Sequence, residues 1–265
     1  MDFLSFWKSA QDAIPALANV RLDIIWEYRE LFLQGAWMTI KITAIAVILG
    51  TLIGLAAGLG RVADVRHGKW KHIVRFGVRW PVAAYVTFFR GTPLFVQILL
   101  IHFAALPMLV HPADGLLISG DLARTLRQDY GAFMSGLLAL TLNAGAYITE
   151  IFRAGIQSIH KGQTEAARSL GLNYWQTMRH IIVPQAFRRM LPPLGNEAIM
   201  LLKDSSLVSA IGLSEMVYAA RTAAGAYSRF WEPYLAIAAS YLVLTLMMAW
   251  GVSKLEEKYE GSGGH

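Results

Sequence analysis

Glu197, Lys203 and Asp204 fall inside one hydrophobic stretch of this chain, and Asn143, Tyr147 and Glu150 recur at spacings of four and three inside another. On a helix the second set projects from one face. In the first, Asn196 shares a face with Lys203 and Glu197 with Asp204, each pair seven residues apart. An ionised side chain near a bilayer centre costs about 2.5–3.5 kcal/mol on insertion scales, so such groups need protein partners or water. Two uses fit: a hydrated path whose donors and acceptors match a zwitterionic or charged solute, or a packing and salt-bridge network that never meets solute. Glu150 and Arg153, three apart, suit the second use. Bond-making chemistry is not indicated, because H-E-x-x-H and G-x-S-x-G are missing and the seven His residues lack zinc-site spacing. With no Cys either, neither a catalytic residue nor a metal site is expected. The phosphate-cradling sequence G-x-x-x-x-G-K-[ST] is also missing, so energy for passage must come from another subunit.

The elements that must carry these residues follow from hydropathy. The 265 residues are 55% hydrophobic and 16% charged, with a mean hydropathy of +0.42. The apolar residues lie in long blocks rather than in the stripe of a water-facing helix. A helix needs roughly 20 apolar residues to cross a bilayer, and five stretches are expected to do so: about 35–59, 84–109, 131–152, 190–211 and 233–252. The fourth is interrupted by its charges, which a tucked, protein-facing helix tolerates. The expected fold class is an all-α integral membrane protein of about five transmembrane helices. It divides into an interfacial or extracytoplasmic segment over 1–34, one membrane domain over 35–255 and a tail over 256–265.

Charge orients the path. Arg61, Arg66, Lys69, Lys71, Arg75 and Arg79 follow the first span, and Arg153, Lys161, Arg168, Arg179, Arg188 and Arg189 follow the third, which marks both loops as cytoplasmic. The loop near 110–130 and the one between Leu213 and Pro233 carry few basic residues and are expected outside, as is the amino terminus. The net charge of +6 is explained by lipid and topology rather than by nucleic acid. The first residues lack the pattern of a signal peptide, and Phe3, Phe6, Trp7, Ile24, Ile25 and Trp26 suggest a piece lying along the interface. GSGGH reads as a sequence appended ahead of a purification tag, or as a natural flexible tail.

Two smaller motifs bear on packing. Gly50, Gly54 and Gly58 form a smooth groove for tight helix packing, within the subunit or between subunits. In Arg90-Gly91-Thr92-Pro93, Pro93 starts a helix or kinks one, with Thr92 capping, and Arg90 is either a gate or a helix contact.

Between the third and fourth spans lies the charged segment EAARSLGLNYWQTMRHIIVP, Glu165 to Pro184. Thr164 can cap a short helix carrying Glu165 in its first turn, beside the positive end of the helix dipole. Gly171 permits a tight reversal. A second helix from about Tyr174 is expected to end near Val183, because Pro184 disfavours helical geometry before it and clashes with a helix behind it. Two short helices at an angle form a rigid knob, serving as a docking socket or as a basic loop held to head groups by Tyr174, Trp175 and Arg179.

The spacing Glu165-Ala166-Ala167, Gly171, Ile181, Pro184 resembles the EAA signature of ATP-binding-cassette (ABC) importer permeases, with Val183 where Leu is usual. GAWMTIKIT, FFRGTPLFVQ, TLNAGAYITEIFRAGI, PPLGNEAIMLLKDSSL and WEPYLAIAASYLVLT are similar to the polar amino acid branch (His, Glu, Gln, Arg and opine uptake) and span most of 35–252. The resemblance implies a type I importer fold in a bacterial inner membrane, with Glu165, Ala166, Ala167 and Gly171 in a cytoplasmic coupling helix over about 160–185. It implies a cytoplasmic ATPase dimer that binds ATP and Mg, the chain itself holding no cofactor. It also implies a second permease subunit, identical or paralogous, an extracytoplasmic solute-binding protein and a polar amino acid substrate. On the residues alone, an ion-gradient-driven transporter using Glu150, Glu197 and Asp204 is the main rival, opposed by five crossings without an inverted repeat. A membrane-embedded enzyme using Glu and His lacks any paired catalytic spacing.

Overall fold

The computed structural model describes residues 3–13, 19–62 and 75–260. Arg66, Lys69 and Lys71 of the expected cytoplasmic loop, and the GSGGH tail, lie outside the described residues. The chain runs through α1 (Phe3–Ala13), α2 (Leu22–Glu27) and α3 (Arg29–Val62), then a π turn (Arg75–Arg79) into α4 (Trp80–Gly91). After α5 (Leu94–Leu109) come the long α6 (Gly120–Gln157), the short α7 (Lys161–Ser169), and α8 (Tyr174–Thr177), which passes through a π turn into α9 (Val183–Asp204). A 3-10 turn (Ser205–Ile211), α10 (Met216–Tyr227) and α11 (Trp231–Glu260) complete the described chain.

Among the described residues three helices are long and apolar enough to span a membrane: Arg29–Arg61, Gly120–Gln157 and Trp231–Tyr259. Of the apolar window in the last, only 6% is buried, which leaves Leu235, Leu242, Leu246 and Trp250 facing outward, as lipid or a partner helix requires. The second expected span is not one helix. α4 and α5 meet at 109° across Thr92-Pro93, because Pro93 drives Thr92 into an extended conformation, φ −119° and ψ 149°. Thr92 does not cap the following helix; its hydroxyl donates back to Phe88 O at 2.8 Å. The carbonyls freed at the bend are met by a side-chain amide, since Gln97 Nε2 donates to Phe89 O at 2.8 Å and Thr92 O at 3.0 Å. The fourth expected span starts earlier, as α9, and finishes as the 3-10 turn; its charges keep it out of the apolar class.

The centre of the bundle is the packing of α3 on α6. Gly50, Gly54 and Gly58 lie against Ala144, Ile148 and Phe152, two rows each stepping by four, so the glycine groove is filled within the subunit. A methyl group at Gly54 would lie 2.7 Å from the Ile148 Cβ, closer than packed carbons approach. Gly54→Val is therefore expected to destabilise the fold by about 1–3 kcal/mol through overpacking, read as a lower midpoint in thermal or denaturant unfolding of the purified protein. Around this seam Ile42, Ile98, Leu140, Met190, Leu201 and Val208 close one continuous core.

At the end where α3 begins, α10 is pinned rather than looped. Glu215 caps it by accepting from Tyr218 N at 3.0 Å and accepts the Tyr241 hydroxyl of α11 at 2.9 Å, while Gly35 of α3 packs against the Glu215 backbone. The amino-terminal segment joins the same end. Phe3 stacks on Trp26 at 4.9 Å, Arg21 N donates to Glu232, and the Arg21 guanidinium, 2.6 Å from Asp23, holds that carboxyl below its ordinary range.

Candidate functional site

The knob between α6 and α9 is built from local rules, though not all of those expected. α7 is capped by His160, whose Nδ1 accepts from Gly162 N at 3.1 Å; Thr164 lies inside the helix and Glu165 in its middle. The end of α7 closes with paired bonds, Gly171 N to Arg168 O at 2.9 Å and Leu172 N to Ala167 O at 3.1 Å, with Gly171 at φ +78° where a Cβ is disfavoured. Asn173 and Gln176 then form a reciprocal capping box for α8, each bond 2.9 Å. Pro184 does not terminate the helix. The π turn over Met178–Ile182 widens the coil just before the ring, and the chain continues into α9 with Pro184 in its first turn, where no N–H is required.

On this knob Glu165 and Ala166 are exposed and Ala167 is buried; Leu170 and Trp175 are 81% and 77% exposed, unusually high for large apolar side chains. The prominence of Leu170 has no marker in the sequence spacing. The knob is firmly attached: Ile159 and Ile182 join the core, and Arg189 Nη1 donates to Ser158 O at 2.6 Å across its base.

Directly beyond that base is a cavity of about 680 Å³. Its walls include Arg90, Tyr147, Glu150, Arg153, Ser158, Arg189, Asn196 and Glu197, so α4, α6 and α9 each contribute charge. Glu150 is clamped by Arg61, by Arg153 with Nε at 2.8 Å, and by Arg90 at 3.9 Å. The expected Glu150–Arg153 pair is thus one edge of a larger cluster, whose third member stands 89 residues away on α3 and is invisible to helical spacing. Arg90 also lies over the Tyr147 ring at 5.1 Å and stays 42% exposed, ready for a further partner. Among the described residues, no Lys or Arg is within ion-pair distance of Glu197.

Three of the expected residues do not line this cavity. Asn143 is buried, its amide donating to Phe89 O at 3.1 Å and Gln97 Oε1 at 3.0 Å, because the α4–α5 bend needs donors at that height. Lys203 is exposed and borders a separate cavity of about 260 Å³ with Ser206, Tyr234 and Tyr241. Asp204, half-buried at the end of α9, lines neither. A helix stepping 100° per residue aims Glu197 and Lys203 in different directions, which separates them.

The chain matches the family described as "Binding-protein-dependent transport system inner membrane component" over residues 50–260. It is 36% identical over 236 residues to the glutamine transport system permease protein GlnP of Escherichia coli (strain K12), covering 88% of this chain and 95% of that protein. The arginine transport system permease protein ArtQ of Bacillus subtilis (strain 168) is 34% identical over 230 residues, 87% of this chain and 93% of the relative. Among solved structures, the crystal structure of an amino acid ABC transporter with histidines superposes with a TM-score of 0.72 at 36% identity, covering 88% of this chain and 96% of that one.

Proposed function

This chain belongs to the family of binding-protein-dependent transport system inner membrane components and is the multi-pass membrane subunit of an ABC importer, and from that premise we propose that it passes polar amino acids through the Arg90–Glu197 cavity under drive from ATPases docked on the α7 knob. The observation that carries this reading is the shared base: Ser158 and Arg189 line the cavity and are bonded to each other where the knob begins. A push on α7 is therefore delivered to α6 and α9, the helices that bear Tyr147, Glu150, Asn196 and Glu197. The cavity gathers basic groups from α4, α6 and α9 beside Glu197, which has no ion-pair partner among the described residues, and so offers both signs to the carboxylate and ammonium of a zwitterion.

In this reading the knob faces the cytoplasm, the amino terminus lies outside, and a solute-binding protein delivers substrate at the α10 end. A second permease subunit closes the cavity's open side, and covers Lys203 and Asp204 where the path continues. ATP and Mg are bound by the ATPase dimer, and this chain contributes passage and positioning.

Reconstitution of the permease with its ATPase and binding protein tests the proposal. Vesicles supplied with ATP are expected to accumulate labelled glutamine, glutamate, arginine or histidine, and vesicles given only a proton or sodium gradient are not. Accumulation driven by the gradient without ATP would overturn it.

A further inference from the structure

A second polar cavity, of about 490 Å³, lies at the opposite end of α6 from the knob, between its first turns and the end of α5. His102, Arg124, Arg127 and Gln128 supply its polar wall and Pro107 part of the apolar one. Its construction is specific. The π turn Ile101–Ala105 carries His102, whose Nδ1 lies 3.0 Å from the hydroxyl of the fully buried Ser135. π turns inside α-helices cluster at functional positions. Arg124 and Arg127, three apart, present two guanidinium groups on one side of the opening.

These cations are poorly neutralised. Among the described residues Arg124 has only Asp121, at 3.4 Å on the same helix and 96% exposed, and no carboxylate lies within ion-pair distance of Arg127. The rest of the lining is apolar, with Phe103, 66% exposed, beside Leu106, Pro107 and Pro112. From His102 to the end of α5 is about 10 Å at 1.5 Å per residue, the depth at which head groups give way to acyl chains.

We propose that this cavity binds the phosphodiester head group of an anionic phospholipid, with Arg124 and Arg127 on the phosphate and the acyl chains lying along the exposed Phe103. A carboxylate from a docking protein would satisfy the arginines but would leave that apolar flank uncovered, whereas a lipid meets both. In the orientation proposed above, the lipid belongs to the outer leaflet.

The test uses the assembled transporter, stripped of lipid in detergent and titrated separately with phosphatidylglycerol, phosphatidylcholine and inorganic phosphate, with bound species counted by native mass spectrometry. Phosphatidylglycerol is expected to bind in preference to phosphatidylcholine, and each of Arg124→Gln and Arg127→Gln to weaken it about fivefold, about 1 kcal/mol per basic residue. Arg221→Gln on α10 is expected to leave it unchanged. Equal binding of both lipids, undiminished phosphatidylglycerol binding in the double variant, or displacement by inorganic phosphate at equal concentration would each overturn the proposal. So would a double variant that loses docking of the binding protein while retaining the lipid.

Discussion

Glu165→Lys is expected to abolish most ATP-driven uptake while leaving the protein folded and in the membrane. Glu165 is exposed in the middle of α7, and among the described residues its side chain makes no hydrogen bond or ion pair, so the fold loses nothing on substitution. Ala166, Leu170 and Trp175 are also exposed on the knob, apolar surface of the kind that a partner covers. A lone carboxylate on such a surface calls for a cation across the interface, and reversal sets like charges against each other. At about 2–3 kcal/mol this weakens docking roughly 30- to 150-fold. Co-purification of the ATPase should fall with uptake, while the melting temperature of the permease should not. Normal uptake with normal co-purification in the variant would remove α7 from the coupling path.

The contrast between the knob and the cavity explains what could be read from sequence. The turn at Gly171 is set by residues within five positions of each other, and local chemistry is enough to place it. Hydropathy likewise located the long helices, because lipid imposes a composition on any segment that crosses it. The same averaging concealed the 109° bend, since Thr92-Pro93 barely changes the mean of a window whose flanks are apolar. Pro184 misled for a related reason: the rule that proline ends helices assumes an α-helical turn before it, and the π turn over Met178–Ile182 suspends that assumption.

The cavity is the least legible part because its members are assembled across the bundle. Asn143, Tyr147 and Glu150 do share a face of α6, but the face meets different neighbours along its length. At Asn143 it meets the broken end of α4, and at Glu150 it meets Arg61 of α3 and Arg90 of α4. A polar stripe therefore divides into a structural part, which satisfies the bend, and a part that opens on the cavity. Periodicity finds the stripe; only the crossing of helices finds the division. As lining residues Arg189 and Ser158 carry no mark in the sequence, because the contact that joins them spans 31 residues.

That division sharpens the expectation for Glu197. Glu150 is held by Arg61 and Arg153, so its charge is already spoken for, while Glu197 shares the cavity with Arg90 and has no cation within ion-pair distance among the described residues. A zwitterion placed between them would set its carboxylate on Arg90 and its ammonium on Glu197. Glu197→Gln keeps the shape and removes the charge, and is expected to lower kcat/KM for uptake by about 2 kcal/mol, roughly thirtyfold. Glu197→Asp should fall between the two. In contrast to Glu165→Lys, co-purification of the ATPase should be unaffected, because α7 is untouched. Asn143→Ala should instead lower the unfolding midpoint, since it strips a donor from Phe89 and Gln97, and should leave the ranking of amino acids as substrates unchanged. If Glu197→Gln transported zwitterionic and cationic amino acids with unchanged kcat/KM, the ammonium would have to be met elsewhere, and the cavity beside Lys203 would not serve, because its charged group has the wrong sign.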